Sequence, residues 1–311
     1  MNILHLSDST LSGSPIRIVD LINKYSEHKA RHIVWDEKTG FRTFKTDLVG
    51  PKLAREEIQS LFGWADVIHY HNRWKRQKIF STHHLEPPAK PSVIQVHSPR
   101  ETEGFYEEEK SGVPIAVIAQ FHVRQWPTAS YIVPNVVDIY DSVYQREAIA
   151  DRKIPVVSYA PSNCNSKGWD DKGYAVVAPF LKRLHLNNVV YYQLINQKPH
   201  DVAMSLKRGA DIGIDEVVTG SYHLSSLEYL SLGVPCFARI DDQTKKVLRD
   251  LTGAEDLPWI EANKDNFQST LLKIVREKSW KQIGYASRAW MEKFWRPEFL
   301  VSQYIEMYED L

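Results

Sequence analysis

The sequence has no excess of either charge, which argues against a protein held to nucleic acid or to an acidic membrane by its overall field. Its 39 lysines and arginines match its 39 aspartates and glutamates, so the formal net charge at pH 7 is zero. Local charged patches remain compatible with this balance. The hydrophobic content of 43% and the charged content of 25% are typical of a globular protein, and a length of 311 residues predicts two domains.

Cysteine is scarce, and long apolar runs are missing. Only Cys164 and Cys236 occur, far apart and in no metal-ligand spacing, so we interpret them as reduced thiols. The start, MNILHLSDST, lacks the basic segment and apolar core of a signal peptide. No apolar run approaches the roughly 20 residues that span a bilayer. We therefore expect a cytoplasmic protein, with peripheral contact at the inner membrane face as the alternative.

The two commonest phosphate-binding motifs are also missing. There is no G-x-x-x-x-G-K-[ST] segment, and the first turn contains one glycine, Gly13, instead of G-x-G-x-x-G. The apolar residues 2–6 predict a strand, and Ser14 and Pro15 predict the N-cap and the first residue of the helix that follows. A strand, a glycine turn and a helix are typical of a Rossmann-like opening. Taken alone, a single glycine favours an ordinary turn.

Short apolar segments recur along both halves of the chain and alternate with helices or loops, which predicts parallel, doubly wound sheets. A polar stretch at 139–154 separates two sets of strands, and aromatic-rich helical segments run from about residue 264 to the end. The predicted strands are 2–6, 31–35, 66–71, 92–97, 115–119 and 130–133, then 155–159, 188–194, 210–215, 234–238 and 257–260.

Polar side chains stand at the carboxyl ends of three predicted strands, where parallel sheets bind ligands. One strand ends in His69, His71 and Asn72, the next ends in His97, and a later one ends before Asn135. A single histidine suits a core or surface position as well as a functional one. Histidines at two strand ends leave the two interpretations evenly balanced.

The segment Arg73 to Lys78, RWKRQK, carries four basic residues in six. We interpret it as a solvated helix face. The alternative is an electropositive site for a phosphate-bearing lipid, an acidic glycan or nucleic acid. The acidic run Glu107 to Glu109 is expected to be solvated as well.

Two stretches of the second half carry the chemistry of a phosphate and sugar site. The loop APSNCNSKGWDDKG at 160–173 offers polar donors and two lysines, Lys167 and Lys172, each followed by glycine. Such charge suits the diphosphate leaving group of a nucleotide sugar. The stretch 220–238 predicts a glycine loop, a helix with Ser225 and Glu228 on one face, and a strand. A helix N-terminus favours anions, and a carboxylate accepts hydrogen bonds from a sugar diol.

Together these features resemble the GT-B glycosyltransferases of the retaining family 4 type, over nearly the whole chain. APSN and KG at 160–168 are similar to a family phosphate loop, and ADIGIDEVVTGSYHLSSLEYLSLGVP at 210–235 is similar to the donor-binding stretch. VIQVHS at 93–98, VPNVVD at 133–138 and the tail at 294–311 resemble further family segments. The resemblance implies an α/β fold of two Rossmann-like domains facing a cleft, at 1–140 and 141–290, with a C-terminal helix at 291–311 crossing back to the first.

The resemblance also assigns roles to individual residues. His97 would lie near the transferred sugar, Lys167 would neutralise the diphosphate, and Glu228 would bind the ribose hydroxyls. Gly13 would let the chain approach the donor phosphates. The other donor-binding positions implied are Ser162, Asn163, Gly220, Ser221, His223, Ser225 and Ser226.

Three positions depart from the family pattern. The first Glu of Glu-x7-Glu is Gly220, an arginine of the phosphate loop is Cys164, and the glycine of P-N-G-V-D is Val136. These changes bear on the identity of the donor and on activity. With Cys164 in place of that arginine, Lys167 and Lys172 are left to carry the positive charge of the loop.

The expected function is transfer of a sugar, with retention, from a UDP-, GDP- or ADP-sugar to a glycan, lipid-linked or other hydroxyl acceptor in surface polysaccharide or glycoconjugate synthesis. No metal and no cofactor besides the nucleotide-sugar co-substrate are expected. Peripheral membrane contact would use Arg73 to Lys78. Three alternatives stay open: a sugar transferase acting on modified DNA bases, a GT-B epimerase, and a non-catalytic protein that binds a nucleotide sugar.

Overall fold

The computed structural model describes residues 1–36, 44–99, 106–146, 152–161, 164 and 172–311. The chain forms two compact units, one of Met1–Val136 with Pro297–Leu311 and one of Val137–Arg296. The sequence placed the corresponding boundaries at 140/141 and 290/291. None of the described helices is long and apolar enough to cross a membrane.

The first unit is built on seven parallel strands. Their order across the sheet is β3-β2-β1-β4-β5-β6-β7, so the chain moves outward from β1 and then returns to its other side. The carboxyl ends of β1 and β4 therefore form the switch point where such sheets bind ligands. The strands are β1 (Asn2–Ser9), β2 (Lys29–Asp36), β3 (Leu48–Val49), β4 (Val67–His71), β5 (Ser92–Val96), β6 (Ile115–Ile118) and β7 (Tyr131–Val133).

The turn after β1 shows why the first helix begins where it does. Gly13 has φ +79°, a left-handed conformation that favours glycine, and it forms the N-cap of the helix. The helix therefore starts at Ser14, with Pro15 second, one residue earlier than predicted. The helices of this part of the chain are α1 (Ser14–Tyr25), α2 (Arg55–Trp64), α3 (Lys78–His83), α4 (Tyr106–Glu109) and α5 (His122–Gln125).

The second unit is built on five parallel strands in the order β12-β11-β10-β8-β9. Apolar residues of these strands, including Val157, Ile212 and Phe237, are fully buried under the flanking helices. The strands are β8 (Val156–Tyr159), β9 (Tyr191–Leu194), β10 (Ile212–Ile214), β11 (Cys236–Ala238) and β12 (Ile260–Glu261), and the helices are α6 (Tyr174–Leu186), α7 (His200–Arg208), α8 (Leu224–Ser231), α9 (Asp242–Thr252), α10 (Phe267–Glu277) and α11 (Trp280–Phe294).

The last helix, α12 (Pro297–Glu309), returns to the first unit, as the family resemblance implied. Its Tyr304 and Tyr308 are buried there. The Tyr304 hydroxyl donates to the carbonyl oxygen of Pro134 at 2.9 Å and accepts from the Gln95 amide at 3.2 Å. A C-terminal segment thus completes the core of the N-terminal unit.

Candidate functional site

The first unit places several polar side chains at the carboxyl ends of β1, β4 and β5. Asn72, just after β4, adopts a left-handed conformation with φ +65°. Its Oδ1 accepts the backbone N–H of His97 at 2.7 Å, and its Nδ2 donates to the Ser98 hydroxyl at 3.1 Å. Strained backbone of this kind persists where its surroundings hold it. Asn72 therefore fixes the position of His97 at the end of the neighbouring strand.

His97 itself is half-buried and is joined to His71, whose Nδ1 lies 2.8 Å from His97 Nε2. Burial, helped by nearby histidines, holds the pKa of His97 well below its ordinary value. The imidazole is therefore neutral near pH 7. A neutral ring presents one N–H donor and one lone pair, the two groups that can orient a hydroxyl.

Behind His97 lies a cluster of buried histidines that sequence reasoning found only in part. His5 of β1 pairs in register with His32 of β2 and with His69 of β4, so the three form a row across the sheet. Burial lowers the pKa of His32 to about 4 and that of His69 to about 3. His71 follows His69 on the same face of β4. The sequence signal for this row was one histidine inside each of three apolar strands. Only the register between the strands shows that these histidines are neighbours.

Three of these histidines raise the question of a metal. One ring nitrogen each of His5, His69 and His71 lies within 4.8 Å of the others. The rings of His69 and His71 are within 16° of parallel, however, and those of His5 and His71 within 20°. A tetrahedral zinc ion needs lone pairs that converge on one point at about 2.0–2.1 Å. His5 Nδ1 lies 3.0 Å from His71 Nε2, and His69 Nδ1 lies 2.7 Å from the Tyr308 hydroxyl, so hydrogen bonding already accounts for one nitrogen of each ring.

A pocket of about 250 Å³ opens at the switch point, beside the turn that carries Gly13. Asp8 is its central acid: Oδ1 accepts the Lys78 backbone N–H at 2.8 Å, and burial raises the Asp8 pKa. A Cβ added at Gly13 would lie 2.7 Å from Phe44, so packing as well as φ requires glycine there. The pocket is lined by Asp8, Ser9, Leu11, Asp36, His71, Asn72, Arg73 and Lys78.

The basic segment Arg73 to Lys78 is not a solvated helix face, which corrects the sequence interpretation. Residues 73–77 form a loop, and α3 begins at Lys78. Arg76 binds Glu108 at 2.8 Å, and Lys78 binds Asp36 at 2.7 Å. Glu108 is only 1% exposed, so the expectation that it is solvated was also wrong. Acidic partners shape this loop and reduce its outward positive charge.

In the second unit, Glu228 lies on α8 and is 5% exposed. Its Oε2 accepts a hydrogen bond from Lys207 Nζ at 2.5 Å, and its Oε1 lies 3.1 Å from His200 Nε2. Lys207 also donates to the Ser225 hydroxyl at 2.8 Å, so Ser225 and Glu228 share a face as predicted. A carboxylate has about four lone-pair sites on its two oxygens, and such sites accept hydrogen bonds from sugar hydroxyls.

Lys207 and His200 were missed by sequence reasoning. They lie on α7, seven residues apart, and so project from one face of that helix. Lys207 is 3% exposed, an unusual position for a lysine unless it is paired. The periodic apolar pattern of α7 gave no reason to select it. Only the packing of α7 against α8 brings its ammonium group to Glu228.

The glycine loop before α8 is tied to β10 by a buried carboxylate. Asp215 accepts the backbone N–H of His223 at 2.7 Å and lies 3.1 Å from its Nδ1. Lys172 Nζ is 2.8 Å from the same carboxylate. Although burial acts to raise it, the Lys172 ammonium and His223 hold the Asp215 pKa well below its ordinary value. Lys172 is thus a partner of Asp215, which corrects its candidacy as a phosphate-loop cation.

The remaining predicted residues divide into two groups. Gly220 has φ +81°, and the side chains of Ser221 and Ser226 are fully buried, with Ser226 donating to the His223 carbonyl at 2.8 Å. Peptide groups of this loop are engaged as well, since the His223 N–H donates to Asp215 and the Ser226 N–H donates to the His223 carbonyl oxygen. The candidates Ser162, Asn163 and Lys167 lie outside the described residues.

No protein-family model matches the sequence, and a search of curated proteins finds no match. Solved structures share the fold over the full length. An alpha-glucosyltransferase solved with UDP and a 13-mer DNA containing an A:G mismatch has a TM-score of 0.66 at 11% identity, covering 99% of this chain and 100% of its own. Anabaena HepE with UDP-glucose has a TM-score of 0.61 at 13% identity, covering 100% of both chains.

A third structure extends the comparison. Sucrose-phosphate synthase from Thermosynechococcus elongatus has a TM-score of 0.58 at 10% identity, covering 100% of this chain and 99% of its own. The three neighbours are thus a glucosyltransferase, a protein in complex with UDP-glucose and a sucrose-phosphate synthase. At these identities the likeness establishes the fold, which is the GT-B fold of two Rossmann-like domains.

Proposed function

We propose that this protein is a glycosyltransferase that moves a sugar from a nucleotide diphospho-sugar to a hydroxyl acceptor, with retention at the anomeric carbon. The observation that carries the proposal is the Glu228 carboxylate, held by Lys207 and His200 behind the Gly220 loop in a GT-B fold. A carboxylate with both oxygens fixed is preorganised to accept hydrogen bonds from a ribose diol.

For the donor we favour a UDP-sugar over a GDP- or ADP-sugar. The support is that the alpha-glucosyltransferase and HepE neighbours were solved with UDP or UDP-glucose. In this proposal Glu228 binds the ribose, the peptide groups of 220–226 bind sugar and phosphates, and Lys167 neutralises the diphosphate. Gly13, Ser162 and Asn163 would complete the donor contacts.

For the chemistry we propose a same-face displacement, in which the leaving diphosphate helps to deprotonate the acceptor hydroxyl. His97 would lie near the transferred sugar as a neutral imidazole that orients a hydroxyl. The protein would then contribute orientation and charge stabilisation, without a covalent nucleophile. We propose no cofactor and no metal; unchanged turnover after chelation with EDTA would support this, and rescue by added metal would contradict it.

For the acceptor we favour a glycan or a lipid-linked sugar in polysaccharide or glycoconjugate synthesis, in the cytoplasm. The DNA alternative draws on the DNA present in the alpha-glucosyltransferase structure. Arg76 and Lys78 are engaged by Glu108 and Asp36, however, which disfavours their use on phosphates of DNA or of a membrane. A gel-shift assay with salt titration separates the cases, since a DNA enzyme would show salt-dependent binding.

The central test is a donor-hydrolysis screen across UDP-, GDP- and ADP-sugars. We expect Glu228→Ala to raise the donor KM by about 10- to 100-fold, because a hydrogen bond to a charged group contributes roughly 1.5–3 kcal/mol. Glu277→Ala, at an exposed site of the same unit, serves as the control. If the wild type turns over a donor and both Glu228→Ala and Lys167→Ala match it, these assignments are wrong. Tight nucleotide binding without turnover on any acceptor would favour the non-catalytic alternative.

A further inference from the structure

A continuous chain of polar contacts runs from His97 through the first unit to the C-terminal helix. His97 Nε2 lies 2.8 Å from His71 Nδ1, and His71 Nε2 lies 3.0 Å from His5 Nδ1. His5 Nε2 is then 3.5 Å from the Tyr308 hydroxyl, which is 2.7 Å from His69 Nδ1. Three elements of β-sheet and one distant helix therefore share a single line of donors and acceptors.

The number of ring hydrogens allows this chain of hydrogen bonds only two arrangements, in which every member donates either toward Tyr308 or toward His97. Burial holds the pKa of His5, His71 and His69 well below the ordinary value, so each ring is neutral and carries one N–H. In a neutral imidazole one nitrogen donates and the other accepts. Once one ring chooses its tautomer, every other ring in the chain must follow to avoid two hydrogens or two lone pairs meeting. The tautomer of His97 is thus coupled to the Tyr308 hydroxyl.

The surroundings of Tyr308 select one direction. Its short contact, 2.7 Å to His69 Nδ1, suits donation by the phenol, and the longer one, 3.5 Å to His5 Nε2, suits weak acceptance. With Nδ1 accepting, His69 carries its hydrogen on Nε2. His69 Nε2 and the Gln95 side-chain oxygen Oε1 are both buried, and neither has a hydrogen-bond partner among the described residues. Gln95 acts to raise the His69 pKa, so this neighbour favours a hydrogen on the ring.

Following the chain from Tyr308, His5 then donates through Nε2, His71 donates through Nε2, and His97 donates through Nε2. We propose that Tyr308, through His5 and His71, holds His97 in its Nε2–H tautomer, so that Nδ1 is the lone pair offered to a substrate hydroxyl. The hydrogen-bond chain positions His97. The tautomer of His97 is independent of the proposed function, whereas the use of His97 on an acceptor hydroxyl rests on that function.

The chain is not a store for a catalytic proton. A proton taken at His97 Nδ1 and passed stepwise along the chain would end on His69, making it a cation. With a pKa of about 3, His69 would hold that proton at pH 7 in only about one molecule in 10⁴. The buried rings therefore set direction and orientation, and they leave proton acceptance to the leaving group in the proposed reaction.

The test is ¹⁵N NMR of histidine-labelled protein, which distinguishes protonated from unprotonated ring nitrogens without substrate or turnover. In the wild type we expect His97 to show Nε2 protonated and Nδ1 unprotonated between pH 6 and pH 8. His97→Gln assigns the signals. A wild type with His97 protonated at Nδ1, or one equivalent of tightly bound metal by elemental analysis, would overturn the proposal.

The variant that breaks the chain is Tyr308→Phe, which removes both the donor to His69 and the acceptor for His5. We expect the opposite His97 tautomer to appear in this variant, because buried N–H groups without a partner are rarer in proteins than under-satisfied acceptors, which favours a lone pair at His5 Nε2. Tyr304→Phe is the matched control, since that hydroxyl contacts Pro134 and Gln95 and lies outside the chain. A Tyr308→Phe spectrum that keeps the wild-type tautomer refutes the coupling, and the wild-type spectrum decides the case if this variant does not fold.

Discussion

Replacing Lys207 by methionine removes the ammonium group that faces Glu228 and leaves the apolar stem of the side chain. Both members of the pair are buried, at 3% and 5% exposure, and their charged atoms lie 2.5 Å apart. Breaking a buried pair by removing one partner costs about 3–5 kcal/mol. Because His200 remains 3.1 Å from the carboxylate, we expect the lower end, about 3 kcal/mol.

The assay is thermal and denaturant unfolding followed by circular dichroism. The second unit spans residues 137–296, which is 160 residues, and for that size about 3 kcal/mol lowers Tm by roughly 6–12 °C. Lys246→Met is the matched control, since Lys246 and its partner Asp250 are exposed on α9 and such pairs contribute at most about 0.5 kcal/mol.

A double variant separates the charge effect from simple loss of packing. Lys207→Met combined with Glu228→Gln leaves no uncompensated charge, so we expect it to recover a large part of the stability lost by Lys207→Met alone. A cost for Lys207→Met no larger than that of the Lys246→Met control, or a double variant no more stable than the single one, would show that the pair is not electrostatically coupled as the structure indicates.

Two further substitutions test local features of each unit. Gly13→Ala should lower the free energy of unfolding by about 1–3 kcal/mol, since its Cβ would meet Phe44 and φ is positive. Gly112→Ala, with positive φ but open space around its Cβ, should cost less. Equal costs for the two variants in unfolding experiments would contradict the packing argument. Asp215→Asn should cost about 3–5 kcal/mol at pH 7 by leaving Lys172 unpaired. The Asp215 pKa is depressed in the folded state, so the stability that its carboxylate contributes is complete above the unfolded pKa of about 3.9 and declines as pH falls below that value. The difference in unfolding free energy between wild type and variant should therefore narrow at low pH. A difference that is unchanged between pH 7 and pH 3 would contradict this.

Local sequence patterns anticipated most of the architecture. Apolar segments bounded by turn residues predicted eleven strands at the positions of observed ones, and the alternation with helices predicted parallel sheets, both of which the structure confirms. The strand β3 (Leu48–Val49) was not predicted, because two residues are too few to show an alternating or continuous apolar pattern. The segment at 73–77 forms a loop instead of the predicted helix face, and Arg76 in it binds the distant Glu108.

What the sequence determined by itself is therefore most of the strands and helices, and the stretch in which Ser225 and Glu228 share a helix face. These follow from interactions between residues close in the chain, which spacing reveals, whereas the GT-B fold was implied by the resemblance of its motifs to a known family. The partners of Glu228, on another helix, and the histidine chain ending at Tyr308 were decided only by tertiary structure. Strand register and helix packing choose which distant side chains meet, and a buried charge or imidazole takes its properties from those neighbours.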